Sequence, residues 1–129
     1  MPTAQPVHAL PQPPQHLFAY GTLVDPHCLN EVLGYPHRGE RLAARLAGFQ
    51  RIAGVYEYPF VVATPGQHVD GVLLMDLNPD EIQKLDSYEQ VETGIYYRER
   101  VEVEAWGCGP RSWRLPAFVY VAGPALKTR

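Results

Sequence analysis

Cysteine is scarce in this 129-residue chain. Cys28 and Cys108 stand far apart and form no CxxC pair, so neither a disulfide framework nor a zinc site is indicated and free thiols are the default. The five histidines, His8, His16, His27, His37 and His68, show no HxH or HxxxH spacing, and no metal is expected. Basic excess is lacking too: 11 Lys and Arg face 14 Asp and Glu, a formal net charge of -3 without a long run of one sign. Nucleic acid, whose binding rests on clustered Lys and Arg against phosphates, is therefore not an expected partner. No stretch approaches the roughly 20 apolar residues that span a bilayer, so no membrane partner is expected. The start, MPTAQPVHALPQPPQ, has neither a basic n-region nor an apolar h-region and does not read as a secretory signal. A soluble, cytoplasmic protein is expected.

What is present suits one core. Hydrophobic residues make up 46% and charged residues 19% of the chain, the balance of a single globular domain at this length. Residues 1–15 hold five of the 13 prolines and read as an extended leader, with the domain covering 16–129. Leu17 to Tyr20 is a short apolar run halted by Gly21-Thr22. Asp25 then caps a helix with Pro26 in its first position, and Gly34 stops it. Arg41 to Val55 is helical by propensity in its first half but punctuated by Gly48 and Gly54, which favours two short strands or one bent strand. Tyr58 to Ala63 reads as an edge strand closed by a Pro65-Gly66 turn, and Val69 to Leu77 as a strand covered on both faces in its second half.

The clearest helix follows. Asn78 caps it, Pro79 opens it, Asp80 and Glu81 sit in its first turn, and Ile82, Leu85 and Tyr88 recur at helical spacing until an end near Glu89. Tyr96 to Trp106 alternates as a half-solvated strand, with Arg98, Arg100, Glu102 and Glu104 on one face and Tyr97, Glu99, Val101 and Val103 on the other. A final strand, Trp113 to Val121, pairs back on it. The fold class is α+β, with a mostly antiparallel, barrel-like sheet.

Two places can carry chemistry. At Tyr20-Gly21-Thr22-Leu23 a strand breaks toward a helix start, leaving backbone N–H groups without ladder partners, a concavity suited to carboxylate or phosphate. A plain Gly-Thr turn is the bland alternative. In Leu85-Asp86-Ser87-Tyr88-Glu89, Glu89 falls at a helix C-terminus, where exposed carbonyls disfavour a carboxylate, and Tyr88, Tyr96 and Tyr97 would exclude water. Both effects raise a carboxyl pKa toward the range useful for proton transfer. Glu89 solvated, or paired with Arg98 or Arg100, is the alternative, and Asp86 is a rival for the role. Cys28 beside His27 is no nucleophile pair, because neighbours on a helix point about 100° apart; Cys28 reads as a packing residue.

These residues resemble the γ-glutamylcyclotransferase-like superfamily, which includes γ-glutamylamine cyclotransferases and plant avirulence-induced-gene proteins. The landmarks run in order: Phe18 to Leu23 (Phe-x-Tyr-Gly-Thr-Leu), Tyr58 to Val61, Leu85 to Glu89 (Leu-Asp-x-aromatic-Glu), Tyr96 to Arg98 (Tyr-x-Arg) and Phe118 to Tyr120. The resemblance implies a small mixed, mostly antiparallel β-barrel with two or more short helices. It implies release of 5-oxoproline from a γ-glutamyl amine or γ-glutamyl amino acid without cofactor, the substrate's α-amine attacking its own γ-amide carbonyl. By the same resemblance Tyr20, Gly21, Thr22 and Leu23 hold the α-carboxylate through main-chain N–H groups, Glu89 acts as general base and then acid, and Tyr58 and Tyr120 line the pocket. Many members follow the glutamate with glycine, where this chain has Gln90; a positive φ there would strain it. A non-catalytic module holding a small carboxylate or a peptide end is the alternative function, and a plain structural domain a third.

Overall fold

The computed structural model describes residues 15–53, 59–107 and 109–123. Of the leader expected over 1–15, only Gln15 is therefore described, and it opens the first strand, β1 (Gln15–Ala19). A short 3-10 turn, Thr22–Val24, leads into helix α1 (Pro26–Leu33), then β2 (Arg41–Ile52), β3 (Phe60–Leu77) and helix α2 (Pro79–Tyr88). A second 3-10 turn, Val91–Thr93, precedes β4 (Tyr96–Trp106) and β5 (Ser112–Ala122). The strands close into a barrel in the order β1-β3-β2-β4-β5. All pairings are antiparallel except β1 with β5, which is parallel. This is the mixed, mostly antiparallel barrel with short helices that the sequence implies.

Local chemistry sets the elements. The Asp25 side chain accepts from the His27 N–H at 2.9 Å, and Gly34 ends α1 in the left-handed region with φ 89, the arrangement that places proline inside the start of a helix and glycine past its end. Asn78 and Glu81 form a full capping box on α2, each side chain accepting from the other's backbone N–H at 2.8 and 2.9 Å. Two orphan donors are thereby satisfied at the helix entry. Among the described residues Glu81 is the one buried charged side chain, and Tyr35 donates to its second carboxyl oxygen at 2.8 Å.

The run Arg41–Ile52 is one bent strand. Leu42, Ala44 and Leu46 pack on the barrel interior at strand spacing, so packing between β3 and β4 overrides a helical propensity worth a few tenths of a kcal/mol per residue. Its bend lies at Gly48, φ 82, where the register with β3 jumps from Ala47↔His68 to Phe49↔Ala63. Pro65-Gly66 accordingly does not reverse the chain, contrary to the turn read from sequence. It forms the long side of a bulge, because the segments before and after it both pair with β2 and leave no partner strand for a hairpin. Tyr58 and Gly54 fall outside the described residues.

Two cores result. Inside the barrel sit Phe18, Leu46, Val61, Leu73, Val103 and Val119; outside it, α1 and α2 press Leu29, Leu33, Ile82 and Leu85 onto Leu17, Leu74 and Leu77. Strand β1 belongs to both, with Leu17 facing the helices and Phe18 the interior. Each such side chain contributes roughly 1.5–3 kcal/mol by leaving water. The helices also correct the reading of β4. Its outward face is not solvated at its start, because Tyr96 lies in the helix-side core, whereas Tyr97 is 44% exposed.

The seat of β1 against β3 leaves no room for a side chain at residue 71. A Cβ there would fall on the Ala19 carbonyl oxygen and 2.8 Å from Phe18 Cζ. Gly71→Ala is expected to destabilise the fold by about 1–3 kcal/mol, as overpacking does. Urea unfolding midpoints check this, and an unchanged midpoint would contradict the seating of β1.

Candidate functional site

The C-terminal end of β1 opens the site. Past Ala19 the chain leaves the sheet, and the 3-10 turn makes its first bonds from Val24 N–H to Gly21 O and from Asp25 N–H to Thr22 O, both 3.1 Å. A turn bonded i to i+3 leaves the amides ahead of its first bond unmatched within itself, here those of Gly21, Thr22 and Leu23. With Tyr20, these residues form one wall of a cavity of about 330 Å³, at the lower end of the roughly 300–1,000 Å³ usual for small-ligand sites. The end of α2 supplies Tyr88, Glu89 and Gln90, and Leu17, Phe18 and Ala19 of β1 with Pro59, Tyr96 and Tyr120 line the remainder. Gly21 has a negative φ of -120, and a Cβ on it would touch only Pro59 Cγ at an ordinary 3.7 Å. Neighbouring protein atoms therefore do not demand glycine at this position, and a residue without a side chain leaves the backbone open to the cavity.

Glu89 caps the C-terminus of α2, its N–H bonded to Leu85 O at 2.9 Å. Its half-buried carboxyl is pushed up to about 7 by desolvation. Among the described residues no cation pairs with it, and Arg98 meets Asp86 instead, with Nε 3.2 Å from Oδ1. Arg100 lies over the Phe118 ring at 5.0 Å. Asp86, the rival acid, does not line this cavity. It accepts from the Tyr120 hydroxyl at 2.7 Å and borders a separate hollow with Gln83, Arg98 and Phe118. Of the three tyrosines expected around Glu89, Tyr88 and Tyr96 line the cavity and Tyr97 does not.

Four phenols surround the carboxyl, each tied to a neighbour. Tyr20 donates to the Tyr120 carbonyl at 2.5 Å, Tyr96 donates to the Pro59 carbonyl, and the Tyr88 hydroxyl lies 2.8 Å from Thr22 Oγ1 and 3.6 Å from Cys28 Sγ. Burial pushes the Tyr20 and Tyr120 phenols well above their usual range, so both keep their protons. Arg51 Nε donates to the Tyr20 carbonyl at 3.3 Å. The cavity thus gathers Tyr20, Gly21, Thr22, Leu23, Glu89 and Tyr120 from the sequence candidates, while Tyr58 lies outside the described residues beside a lining Pro59. Sequence reasoning gave Pro59 no pocket role and expected of Tyr96 only that it keep water from Glu89. Among the described residues no three His, Cys, Asp or Glu side chains gather as metal ligands would, and no helix is long and apolar enough to cross a membrane.

Gln90 adopts the left-handed conformation, φ 57 and ψ 45. That region costs a residue with a Cβ roughly 1–2 kcal/mol, part of which glycine's extra unfolded-state freedom cancels. Gln90→Gly is expected to raise stability by about 0.5–1 kcal/mol in chemical unfolding. Glu89 generates a pH signature. Its folded-state pKa of about 7 stands above the ordinary 4.5, so its ionisation progressively weakens the fold as pH rises between those values. Glu89→Gln is expected to gain stability relative to the native protein from about pH 4.5 to 7, with a constant difference beyond; a difference independent of pH in thermal melts would contradict a desolvated carboxyl.

Residues 17–129 match the family described as Gamma-glutamyl cyclotransferase, AIG2-like. Among relatives, AIG2-like protein A of Arabidopsis thaliana is 34% identical over 94 residues, which span 67% of this chain and 55% of that protein's length. The solution structure of another Arabidopsis thaliana protein superposes with TM-score 0.70 at 28% identity, covering 89% of this chain and 75% of that one. In fold alone, the yeast γ-glutamyl cyclotransferase specific to glutathione is similar as well, with TM-score 0.59 at 16% identity over 86% of this chain and 69% of that one. The chain, with its five-stranded barrel and the cavity at the end of β1, belongs to the AIG2-like γ-glutamyl cyclotransferase family.

Proposed function

We propose that this protein is a cyclotransferase that releases 5-oxoproline from a γ-glutamyl amine or γ-glutamyl amino acid, with Glu89 as the single proton carrier and no cofactor. The observation that carries the reading is one cavity lined both by an uncompensated carboxyl poised near pH 7 and by main-chain donors at the end of the first strand. The amides of Gly21, Thr22 and Leu23 suit the substrate's α-carboxylate, and a carboxylate at Glu89 suits its α-ammonium. Glu89 takes one proton from the ammonium; the freed nitrogen attacks the γ-carbonyl carbon and forms the ring C–N bond. The amide C–N bond then breaks as Glu89 returns that proton to the departing nitrogen, and the second proton that the ring nitrogen must lose passes by way of the same carboxylate to the released amine, which leaves as an ammonium. The membership of the chain in a γ-glutamyl cyclotransferase family supports the reaction class.

Such sparse machinery is adequate. An amine tethered to its own target reaches effective molarities on the order of 10⁵ M or more once folded into a ring-closing shape, so the protein chiefly has to hold that shape. One positioned acid-base group adds roughly 10²- to 10⁴-fold. A pKa close to the working pH lets the same carboxyl act in both directions, whereas an ordinary glutamate would be a poor acid at neutrality.

The test is 5-oxoproline release from a panel of γ-glutamyl amines and γ-glutamyl amino acids. The native protein should turn over at least one of them, and Glu89→Gln should lower kcat roughly 10²- to 10⁴-fold. The native kcat/KM should rise with pH through about 7 as the base ionises. Binding of glutamate-like anions without turnover of any compound would favour the binding-module reading instead.

A further inference from the structure

The phenols at this cavity differ from ordinary tyrosines in one respect: three of them commit their only proton to a named acceptor. Tyr20 donates to the Tyr120 carbonyl, Tyr96 to the Pro59 carbonyl, and Tyr120 to Asp86. A tyrosine hydroxyl has one proton to give and two lone pairs to offer. Once the proton is committed, the oxygen can only accept. The first two acceptors are backbone carbonyls, fixed by the fold, but the third is a side chain that could have been anything. Asp86 lies behind Tyr120, outside the cavity, and Arg98 contacts the same Oδ1 atom at 3.2 Å while stacking over Phe118 at 4.4 Å. The carboxylate is thereby held where it takes the Tyr120 proton.

We infer that Asp86, anchored by Arg98, is a positioning residue that makes Tyr120 an acceptor-only group, so that the cavity beside Glu89 selects ligands carrying a protonated amine. An ammonium has three N–H donors and no acceptor; it matches a wall built of a carboxylate and lone pairs. A carboxylate or a neutral carbonyl meets no donor on that wall and would be desolvated without compensation. Burial is what chiefly raises the Tyr20 and Tyr120 phenols, and the charge of Glu89 adds a lesser push to both, as it does where all three side chains line one cavity. The inference rests on the cyclotransferase reading for the choice of an α-amino acid as ligand, but its readout is binding and needs no turnover.

The probes are L-glutamate and glutarate, which share both carboxylates and differ in the α-ammonium. Calorimetry at pH 8, where Glu89 is ionised, should find L-glutamate bound roughly tenfold or more tightly by the native protein, the contribution of one charge-assisted hydrogen bond. Asp86→Ala frees the Tyr120 proton and should shrink that ratio several-fold. Asp86→Asn, whose side-chain oxygen can still accept from Tyr120, should keep it. Tyr120→Phe should shrink the ratio as Asp86→Ala does, and the double variant should lose no more than either alone. Should Asp86→Ala fail to fold, Tyr120→Phe and Asp86→Asn still read the ratio. Equal weakening of both ligands in Asp86→Ala, no native preference, or no binding of either ligand would overturn the inference. Failure of the cyclotransferase reading appears separately, as an intact ratio without 5-oxoproline release.

Discussion

Everything at the candidate site follows from how β1 is enclosed. Its Leu17 and Phe18 are covered on opposite faces, one by the helices and one by the barrel interior, and its edges are taken by β3 and β5. A strand held on four sides cannot shift, and it ends abruptly where ladder partners run out. The amides that follow are consequently unmatched in surroundings made apolar by the same packing. Gly71 is part of this constraint, because the absence of a side chain there lets Ala19 and Phe18 lie against β3.

The second half of the site is delivered by α2. A capping box fixes its start and the helix-side core its inner face, so its last turn arrives over the end of β1 with Glu89 directed at the cavity and Asp86 behind Tyr120. Two carboxyls three residues apart thus meet opposite environments. Asp86 has a cation and a phenol as partners, whereas Glu89 has lost water and, among the described residues, gained no cation. Dissimilar surroundings divide structural from chemical duty between like groups, since ionisation follows environment more than residue type.

Much of this was legible in the sequence, for identifiable reasons. Both helix starts carry a cap and a proline, signals that act within a few residues, and their positions match the structure. The mixed barrel followed from strand content and from family landmarks. The Glu89 environment was readable as a helix end amid aromatics, though desolvation alone accounts for its shift. What escaped was non-local. Pro65-Gly66 has every mark of a reversing turn, and only the continuous pairing of β2 along both flanking segments makes it a bulge. Tyr97 and Tyr96 are indistinguishable by type, and only the helices packed outside the barrel decide which is buried. The engagement of Asp86 with Tyr120 spans 34 positions, beyond any local pattern.

The central claim is that Glu89 is a carboxyl starved of water at neutral pH. Carbon-detected NMR of its side-chain carboxyl across a pH titration, assigned with Glu89→Gln, reads this directly. The account predicts a midpoint near 7; a midpoint at about 4.3, the value of a solvated glutamate, would contradict it.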